Sequence, residues 1–452
     1  MIGALVGQIR FPIERGRLRA HVSRVKAPDA SREESAGTAS RRAAMRLLEA
    51  VLRKGLPLEA ALDTAARDLD RADDRGFAHA IAAEALRRLA DLDDLIDGAT
   101  RQRLPDDSKA RFALRIALVQ ALAMDTAPHA AIATALPLVE GGPRRLVHGV
   151  FGTLMRQGAS LPDIPSLPPA VEERWRKAWG DPVAFAAAKL LAAPPPLDLS
   201  FAGDPPVEME GVSLLPGHLR VPARTAVAGL TGYGDGSGRW WVQDLAASLP
   251  ARLLGVGEGR TVLDLCAAPG GKTMQLAAAG FAVTAVDMSK SRLARLSENL
   301  ARTGLEAEIV AADILKWQPP GPVDAILLDA PCSATGIFRR HPDVLHRVRP
   351  RAIAELAEGQ RKMLARAASW LKPGGTLVYS VCSLEREEGE MVADDFAAQG
   401  DLEPDPVGAD ELGGGVPVVD GRVRILPGFL MDEGGADGFF IARFRRSDAR
   451  PI

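Results

Sequence analysis

The hydrophobic positions in the first third of the chain follow a helical period. Between Arg41 and about Gly158, apolar residues recur three and four positions apart in segments such as RRAAMRLLEAVLRKG and SKARFALRIALVQALAM. Glycine or proline stands at the joins between these segments. The pattern predicts an all-helical domain over residues 39–160.

Two proline-rich segments interrupt the helical pattern. ASLPDIPSLPPAVEERW contains four prolines, and AAPPPLDLS carries a second cluster, with short apolar runs after each. Because such stretches mark loops and connectors, we expect residues 161–238 to form a linker and a small α+β subdomain.

From Trp240 onward, short β-type runs alternate with helical stretches. The runs include TVLDLC, FAVTAVD, AEIVAAD, DAILLDA and GTLVYSVC, and the helical stretches include SRLARLSENLART. This alternation predicts βαβ units, and therefore a Rossmann-like parallel sheet covered on both faces, over residues 239–446. Ligands of such sheets bind beyond the carboxyl ends of the strands. Those ends carry Asp264, Asp287, Asp313, Asp329 and Cys382.

The composition excludes several classes of protein. The chain has 452 residues, 47% hydrophobic and 25% charged, with three cysteines and a net charge of −2. No uninterrupted apolar run is long enough for a membrane helix, and widely spaced cysteines fit neither a disulfide framework nor a Cys-x-x-Cys metal site. We therefore expect a cytoplasmic protein with no membrane and no metal partner, and we further expect a monomer.

The first 38 residues are predicted to be a basic flexible tail. Up to Pro28 the tail carries six lysines and arginines against the single acid Glu14. Such an arm can contact nucleic-acid phosphates, or it can be a solvated tail without a partner. The sequence leaves both interpretations open.

The glycine loop LDLCAAPGGKT admits more than one interpretation. A P-loop needs a glycine five residues before Gly271, where this chain has Cys266. The next strand ends on Asp287, at the place where doubly wound nucleotide folds hold ribose hydroxyls, and the G-x-G-x-x-G spacing of dinucleotide folds is absent. We therefore predict S-adenosylmethionine as the cofactor, with Asp287 at the ribose and Asp313 at the adenine edge.

Two thiols are predicted to face one pocket. The strand that ends at Asp329 and the strand that ends at Cys382 are expected to be neighbours, which brings Cys332 near Cys382. Beside a methyl donor, a thiolate can add to carbon 6 of a pyrimidine and make carbon 5 nucleophilic, which is covalent catalysis. Asp329 would then hold the pyrimidine edge, either accepting from an exocyclic amine or, if protonated, donating to a ring nitrogen.

Four motifs of the catalytic region resemble those of the Nop2/Sun RNA cytosine-5 methyltransferases. They are DLCAAPGGKT, DAPCSATGIFRRHPDV, YSVCSLEREEGE and ILPGFLMDEGGADGFFIARF, and they span about Trp240 to Phe444. The resemblance implies that Cys382 attacks carbon 6 and that Cys332 aids release of the product. It also implies cofactor contacts from Cys266, Ala267, Ala268, Pro269, Gly270, Gly271, Lys272, Asp287, Asp313 and Asp329.

The chain departs from the family pattern at two places near the nucleophile. Val381 stands where the family usually has threonine, and Glu388-Gly389 stands where it often has Glu-Asn. We expect neither position to touch the reacting groups.

The helical region resembles the NusB-type RNA-binding domain of the RsmB branch of this family. DDRGFAHAIAAEALRR and APHAAIATALPLVEGGPRRLVHGVFGTLMR carry this resemblance, which implies methylation of a cytosine in small-subunit (16S) ribosomal RNA. A helical module without RNA contact, the same chemistry on transfer RNA, and a non-catalytic RNA-binding or assembly factor remain alternatives. The basic run after Cys332 is predicted to bind RNA phosphates, chiefly through Arg339, Arg340 and His341.

Overall fold

The computed structural model describes residues 36–206, 208–223, 225–233, 238–413 and 415–448. Most of the predicted basic tail, residues 1–35, lies outside the described residues. Within the described residues, no helix combines the length and the apolar character needed to cross a membrane.

Seven α-helices form the N-terminal domain, as predicted. The central helix α5 has every residue from 110 to 120 buried. Its two buried arginines are neutralised by acids of α4, since Arg111 and Arg115 both pair with Asp93 and Arg111 also pairs with Asp97. The helices are α1 (Ala36–Lys54), α2 (Leu58–Ala65), α3 (Ala72–Arg87), α4 (Leu89–Gly98), α5 (Lys109–Ala123), α6 (Pro128–Ala135) and α7 (Gly141–Arg156).

The first helix begins earlier than the sequence pattern indicates. Residues 36–38 were predicted to be tail, but they belong to the first turn of α1. The small polar side chains at this end of the helix are packed rather than solvated: Thr38 and Ser40 are buried, and the Ser40 hydroxyl donates to Asp74 at 3.4 Å. Small residues give a linker-like composition and also allow close helix packing, so composition alone misplaced this boundary.

The connector contains two helices and a three-stranded antiparallel sheet. The sheet has the order β2-β1-β3, so β3 (Trp240–Val242) belongs to it and not to the catalytic domain that was predicted to start at residue 239. Alternate side chains of β3 explain this position, because Trp240 packs on the connector sheet while Trp241 packs on the glycine loop. The other elements are α8 (Pro169–Trp179), α9 (Asp181–Leu191), β1 (Leu197–Phe201) and β2 (His218–Val221).

The catalytic domain is built on a nine-stranded sheet. Its order is β10-β11-β12-β8-β7-β4-β5-β6, and β9 pairs with β12. The strands are β4 (Thr261–Leu265), β5 (Ala282–Asp287), β6 (Glu308–Ala311), β7 (Val323–Asp329), β8 (Leu371–Val381), β9 (Glu403–Pro404), β10 (Val418–Val419), β11 (Arg422–Ile425) and β12 (Phe439–Arg445). The helices are α10 (Leu245–Arg252), α11 (Gly271–Ala278), α12 (Lys290–Thr303), α13 (Val344–Arg347), α14 (Pro350–Ala368) and α15 (Glu390–Gln399).

The predicted parallel sheet forms one part of this mixed sheet. Strands β4 to β8 are parallel, whereas β12 pairs with β8 in antiparallel fashion, β9 and β11 pair with β12, and β10 pairs with β11. Parallel pairing needs a long crossover, and short connections such as the one between β10 and β11 permit only antiparallel pairing. The chain runs outward from β4 through β5 and β6, then returns to the other side of β4 for β7 and β8. The carboxyl end of β4 therefore lies at the switch point where such folds bind ligands.

The helical domain contacts the catalytic domain directly. The backbone N–H of Leu58 donates to Asp343 at 3.3 Å, and His346 is hydrogen-bonded to the carbonyl of Leu86 at 2.8 Å. Both contacts involve the segment that follows the first active-site thiol, so the N-terminal domain lies beside the site.

Candidate active site

The glycine loop leaves the carboxyl end of β4 and turns sharply into α11. Cys266 and Gly270 both have positive φ, at 62° and 105°. A Cβ added at Gly270 would lie 2.8 Å from the side chain of Leu296 on α12, so only glycine fits there. The loop is thus packed closely against α12 and exposes its backbone at the switch point.

Asp287 lies at the end of β5 and braces this loop. Its carboxylate is 3% exposed and accepts from the backbone N–H of Ala268 at 3.2 Å and of Ser289 at 2.8 Å. The guanidinium of Arg292 approaches it at 3.6 Å. A carboxylate has about four acceptor positions, so two backbone bonds leave acceptor capacity for ligand hydroxyls.

The remaining cofactor residues border the same edge of the sheet. Asp313 follows β6 with its side chain 37% exposed, and it accepts from the backbone N–H of Leu315 at 3.0 Å. Met288, which the sequence analysis passed over, is 75% exposed directly after Asp287. An exposed large apolar side chain beside a strand-end acid is the signal that could have singled it out, because such a side chain offers a surface to a planar ring. The close-packed glycine loop, the free acceptor positions of Asp287 and this apolar surface together fit an adenosyl group.

Lys272 and Asp329 form an ion pair between the loop and β7. The Lys272 ammonium donates to Asp329 at 2.7 Å, and the Ser380 hydroxyl donates to the other carboxylate oxygen at 2.8 Å. Lys272 also lies over the ring of Phe439, 5.3 Å from its centroid. These two donors fix the orientation of the Asp329 carboxylate.

The two thiols meet as the topology predicts. Asp329 on β7 is paired with Ser380 on β8, and the Sγ atoms of Cys332 and Cys382 lie 3.5 Å apart. The hydrogen bond with Cys382, burial, and the charges of Cys382 and Glu388 raise the pKa of Cys332 well above its ordinary value. Cys332 therefore holds its proton firmly.

The third cysteine lies in a different environment. Burial, together with the charges of Asp329, Asp287 and Asp264, raises the pKa of Cys266 well above its ordinary value. Cys266 is thus a protonated thiol within the glycine loop, in keeping with a residue that packs rather than reacts.

Arg339 does not lie on an RNA-binding surface, which corrects the prediction for this residue. Its side chain is 1% exposed and donates to Asp244 at 2.7 Å, to Asp437 at 3.2 Å and to the carbonyl of Gly434 at 2.7 Å. A guanidinium with these partners is a structural link between the connector, the active-site segment and the C-terminal strands. Sequence alone could not distinguish it from its neighbour, because a run of basic residues does not reveal which of them points inward.

Arg340 and His341 occupy more open positions. Arg340 has a side chain 35% exposed and pairs with Asp437. Burial lowers the pKa of Arg340, but the charges of Asp437 and Asp244 outweigh this effect and hold the pKa above its ordinary value. His341 is half-buried and lines a cleft of about 680 Å³ between α2 and the glycine loop.

Glu388, for which the sequence analysis predicted no role, lies between the segments that carry the two thiols. It is fully buried, and its carboxylate accepts from Ser333 and Ser383, the residues that directly follow the two cysteines. Its neighbour Gly389 has no room for a side chain, since an added Cβ would lie 2.4 Å from the guanidinium of Arg424. Glu388 and Gly389 therefore hold the residues next to the two cysteines in place and do not contact the reacting groups themselves.

Within the described parts of the chain, no group of three or more His, Cys, Asp or Glu side chains is arranged to hold a metal ion.

Comparisons with known proteins agree with this geometry. Residues 251–445 match the family described as 16S rRNA methyltransferase RsmB/F, and residues 38–145 match the NusB family. Ribosomal RNA small subunit methyltransferase B of Xanthomonas campestris pv. campestris is 32% identical over 443 residues, which cover 91% of this chain and 98% of that protein. The chain belongs to the RsmB/F methyltransferase family. The protein of the same name from Klebsiella pneumoniae subsp. pneumoniae is also 32% identical, with 88% of this chain and 96% of that protein covered.

Membership in the RsmB/F family confirms the predicted domain types and the predicted cofactor. The chain is a methyltransferase that depends on S-adenosylmethionine and carries a NusB-type helical domain at its N-terminal side. The crystal structure of PH0851 has the same fold, with a TM-score of 0.69 and 22% identity over 90% of this chain and 99% of that one.

Proposed function

We propose that this RsmB/F family member methylates carbon 5 of a cytosine in small-subunit ribosomal RNA, through a covalent adduct between Cys382 and carbon 6. The observation that carries the proposal is the pair of thiols, 3.5 Å apart, at the carboxyl ends of two neighbouring strands. The names of the relatives support ribosomal RNA as the substrate. A cytoplasmic location follows for an enzyme that acts on this RNA.

The residues at the switch point are proposed to bind S-adenosylmethionine, which supplies the methyl group. The backbone of residues 266–271 would lie along the cofactor, Asp287 would accept from the ribose hydroxyls, and Asp313 and Met288 would border the adenine. The braced carboxylate of Asp287 supports this assignment because it needs no rearrangement to accept two further hydrogen bonds.

Asp329 is proposed to hold the amine edge of the cytosine. Because Lys272 and Ser380 already donate to its carboxylate, Asp329 is suited to accept from the exocyclic amine rather than to donate a proton to the ring. Lys272 would keep the carboxylate charged and oriented.

The chemistry proceeds in two stages. The thiolate of Cys382 would form a bond to carbon 6, and the electron pair displaced from the double bond would make carbon 5 the nucleophile. S-adenosylmethionine, held by the residues at the switch point, would supply the methyl group and leave with the electrons of its carbon–sulfur bond. The proton on carbon 5 then leaves to water while the bond between Cys382 and carbon 6 breaks and the double bond is restored. The protonated thiol of Cys332 is proposed to donate a hydrogen bond to the departing sulfur and so to ease its release.

The proposed RNA contacts now exclude Arg339. Arg340 is retained because its guanidinium is partly exposed, and His341 is retained because it lines the cleft between the two domains. The NusB-type domain would hold the RNA outside the catalytic pocket.

Bisulfite sequencing of total RNA from cells with and without the gene tests the proposal. We expect one cytosine of small-subunit ribosomal RNA to lose its protection in cells that lack the gene and to regain it with the wild-type gene. Loss of protection in a transfer RNA instead would retain the chemistry and replace the substrate. Unchanged protection everywhere would contradict cytosine-5 methylation.

A further inference from the structure

A single buried carboxylate ties together the two segments that carry the thiols. One oxygen of Glu388 accepts from the backbone N–H of Ser333 at 2.7 Å, and the other accepts from the hydroxyls of Ser333 and Ser383, both at 2.5 Å. Ser333 follows Cys332, and Ser383 follows Cys382. Because Glu388 is completely buried, these donors replace the water that its charge would otherwise need.

Two further buried side chains extend this support around Cys332. The amide of Gln360 on α14 donates to the carbonyl of Pro331 at 2.9 Å and to Glu388 at 3.3 Å. The hydroxyl of Tyr379 donates to the backbone carbonyl of Glu388 at 2.5 Å. The residues before and after Cys332 are therefore both held by one network centred on Glu388.

We propose that Glu388 is a positioning residue of the active site: its carboxylate fixes the two thiols at contact distance, and its charge beside Cys332 keeps the proton on that thiol, which can then assist the departure of Cys382. This inference rests on the proposed function and deepens it. It supplies a physical reason for the different roles of two chemically identical side chains.

The charges around the pair support this division. Glu388 accepts two hydrogen bonds from Ser333 and one from Ser383, so its carboxylate is tied more closely to the segment of Cys332. Its charge contributes to the raised pKa of Cys332.

The other charged groups packed around Glu388 are already paired. Glu385 is bound by Arg174 at 2.7 Å, and Arg424 is bound by Glu390 at 2.5 Å while it donates to the carbonyl of Ser383 at 2.7 Å. Among these groups Glu388 is the acid whose hydrogen-bond donors are all neutral, so no cation in contact with it cancels its charge. Burial raises the pKa of Glu388, and the hydrogen bonds from Ser333 and Ser383 act in the opposite direction and favour the carboxylate.

The proposal accounts for every proton in the reaction. Cys332 keeps its proton throughout the reaction, and Cys382 attacks as a thiolate. After methyl transfer, the proton of carbon 5 leaves to water and Cys382 departs as a thiolate that accepts a hydrogen bond from Cys332. The pair thus returns to its starting state without a further proton donor.

The test measures the alkylation of Cys332 by iodoacetamide as a function of pH, read by mass spectrometry of the peptide that contains Cys332. In the full-length Cys382→Ala protein, Cys332 is the thiol of the pair that remains. Adding Glu388→Gln should lower the midpoint of its alkylation by about one pH unit, since an adjacent negative charge is removed. Glu387→Gln is the matched control: it neutralises an exposed acid of the same turn and should leave the midpoint unchanged.

Glu388→Asp distinguishes the effect of the charge from the effect of the side-chain length. It keeps the charge but is too short to bridge both serines, so the midpoint should stay close to that of the parent while turnover on ribosomal RNA falls about tenfold. In an otherwise wild-type chain, Glu388→Gln should also accumulate a protein–RNA adduct, because Cys332 no longer retains the proton that assists release. The expected accumulation is several times that of wild type at equal RNA concentration.

An unchanged midpoint in a folded Glu388→Gln protein would overturn the proposal, and so would an equal shift in Glu388→Asp and Glu388→Gln. The alkylation measurement uses no RNA. It can therefore fail while bisulfite sequencing still finds cytosine methylation, and it can succeed if the RNA substrate proves to be different.

Discussion

Replacing Arg339 should destabilise the protein and leave RNA binding intact. Arg339 is the cation that links two buried carboxylates, Asp244 and Asp437. Arg339→Met keeps much of the buried aliphatic volume but removes the charge. Asp437 would retain Arg340, whereas Asp244 would keep only neutral donors, the backbone N–H groups of Ala246 at 2.9 Å and Asp437 at 3.1 Å.

The expected cost follows from this loss of partners. Removing one member of a buried ion pair typically costs about 3–5 kcal/mol. Burial and the negative charge of Asp437 raise the pKa of Asp244 to about 6, although the positive charge of Arg339 lowers it. Because the substitution removes that positive charge, it raises the pKa of Asp244 further. Asp244 can then take up a proton near neutral pH, which limits the loss to roughly 3 kcal/mol, or on the order of 10 °C in Tm for a domain of this size.

The loss should also depend on pH in a defined direction. An acid whose pKa is higher in the folded than in the unfolded state binds more protons when folded, so its contribution to stability improves as the pH falls from about 6 towards 4. Arg339→Met should therefore be less damaging at pH 5 than at pH 8.

Urea unfolding followed by tryptophan fluorescence measures this effect, and fluorescence anisotropy of a labelled ribosomal RNA fragment measures binding. Arg351→Ala is the matched control, because Arg351 belongs to the same basic run but has a side chain 91% exposed and pairs only with Glu355. Its effect on the free energy of unfolding should stay within about 0.5 kcal/mol. The reasoning is refuted if Arg339→Met weakens RNA binding while its free energy of unfolding equals that of wild type.

Three further predictions concern the cofactor, the domain contact and the helical domain. Asp287→Ala should weaken S-adenosylmethionine binding by about 1.5–3 kcal/mol, the range of a charge-assisted hydrogen bond, and calorimetry showing wild-type affinity in a folded variant would exclude the assignment. Burial lowers the pKa of His346 to about 4, so between pH 6.5 and about 4 the unfolded state binds a proton that the folded state does not, and the free energy of unfolding should fall. Denaturation of His346→Gln should show a weaker fall, and an unchanged pH dependence would contradict this origin. A chain that begins at Pro169 should bind the cofactor but lose RNA affinity and target choice, and equal methylation by both chains would remove the proposed role of the helical domain.

The elements that the sequence predicts well are those that a repeating pattern describes. The helices of the N-terminal domain and strands β4 to β8 have long periodic or apolar segments, and parallel topology then places Cys332 beside Cys382. The antiparallel strands β9, β10 and β11 are two to four residues long and are not part of strand–helix alternation, so the sequence pattern does not distinguish them from loops. Their attachment to the sheet depends on tertiary contacts.

The site residues that the sequence misjudges are those whose side chains point inward from irregular segments. Arg339 and Arg340 are adjacent and alike in composition, but one is buried between two acids and the other reaches the surface. Glu388 lies in a turn full of acids, and nothing in EREEGE indicates which carboxylate is buried. Whether such a side chain points inward depends on packing between α14, β8 and the loop after β7, and a local sequence pattern does not predict this packing.

The central claim, covalent catalysis by Cys382 with release aided by Cys332, is tested most directly by comparing two single variants on denaturing gels. Each is incubated with S-adenosylmethionine and a ribosomal RNA fragment that carries the cytosine identified by bisulfite sequencing. We predict that Cys332→Ala accumulates a protein–RNA species that survives denaturation and forms efficiently only with both cofactor and target cytosine, whereas Cys382→Ala is inactive and forms none. Trapping by Cys382→Ala but not by Cys332→Ala would reverse the two roles, and methyl transfer by both variants without trapping would contradict thiol catalysis in this protein.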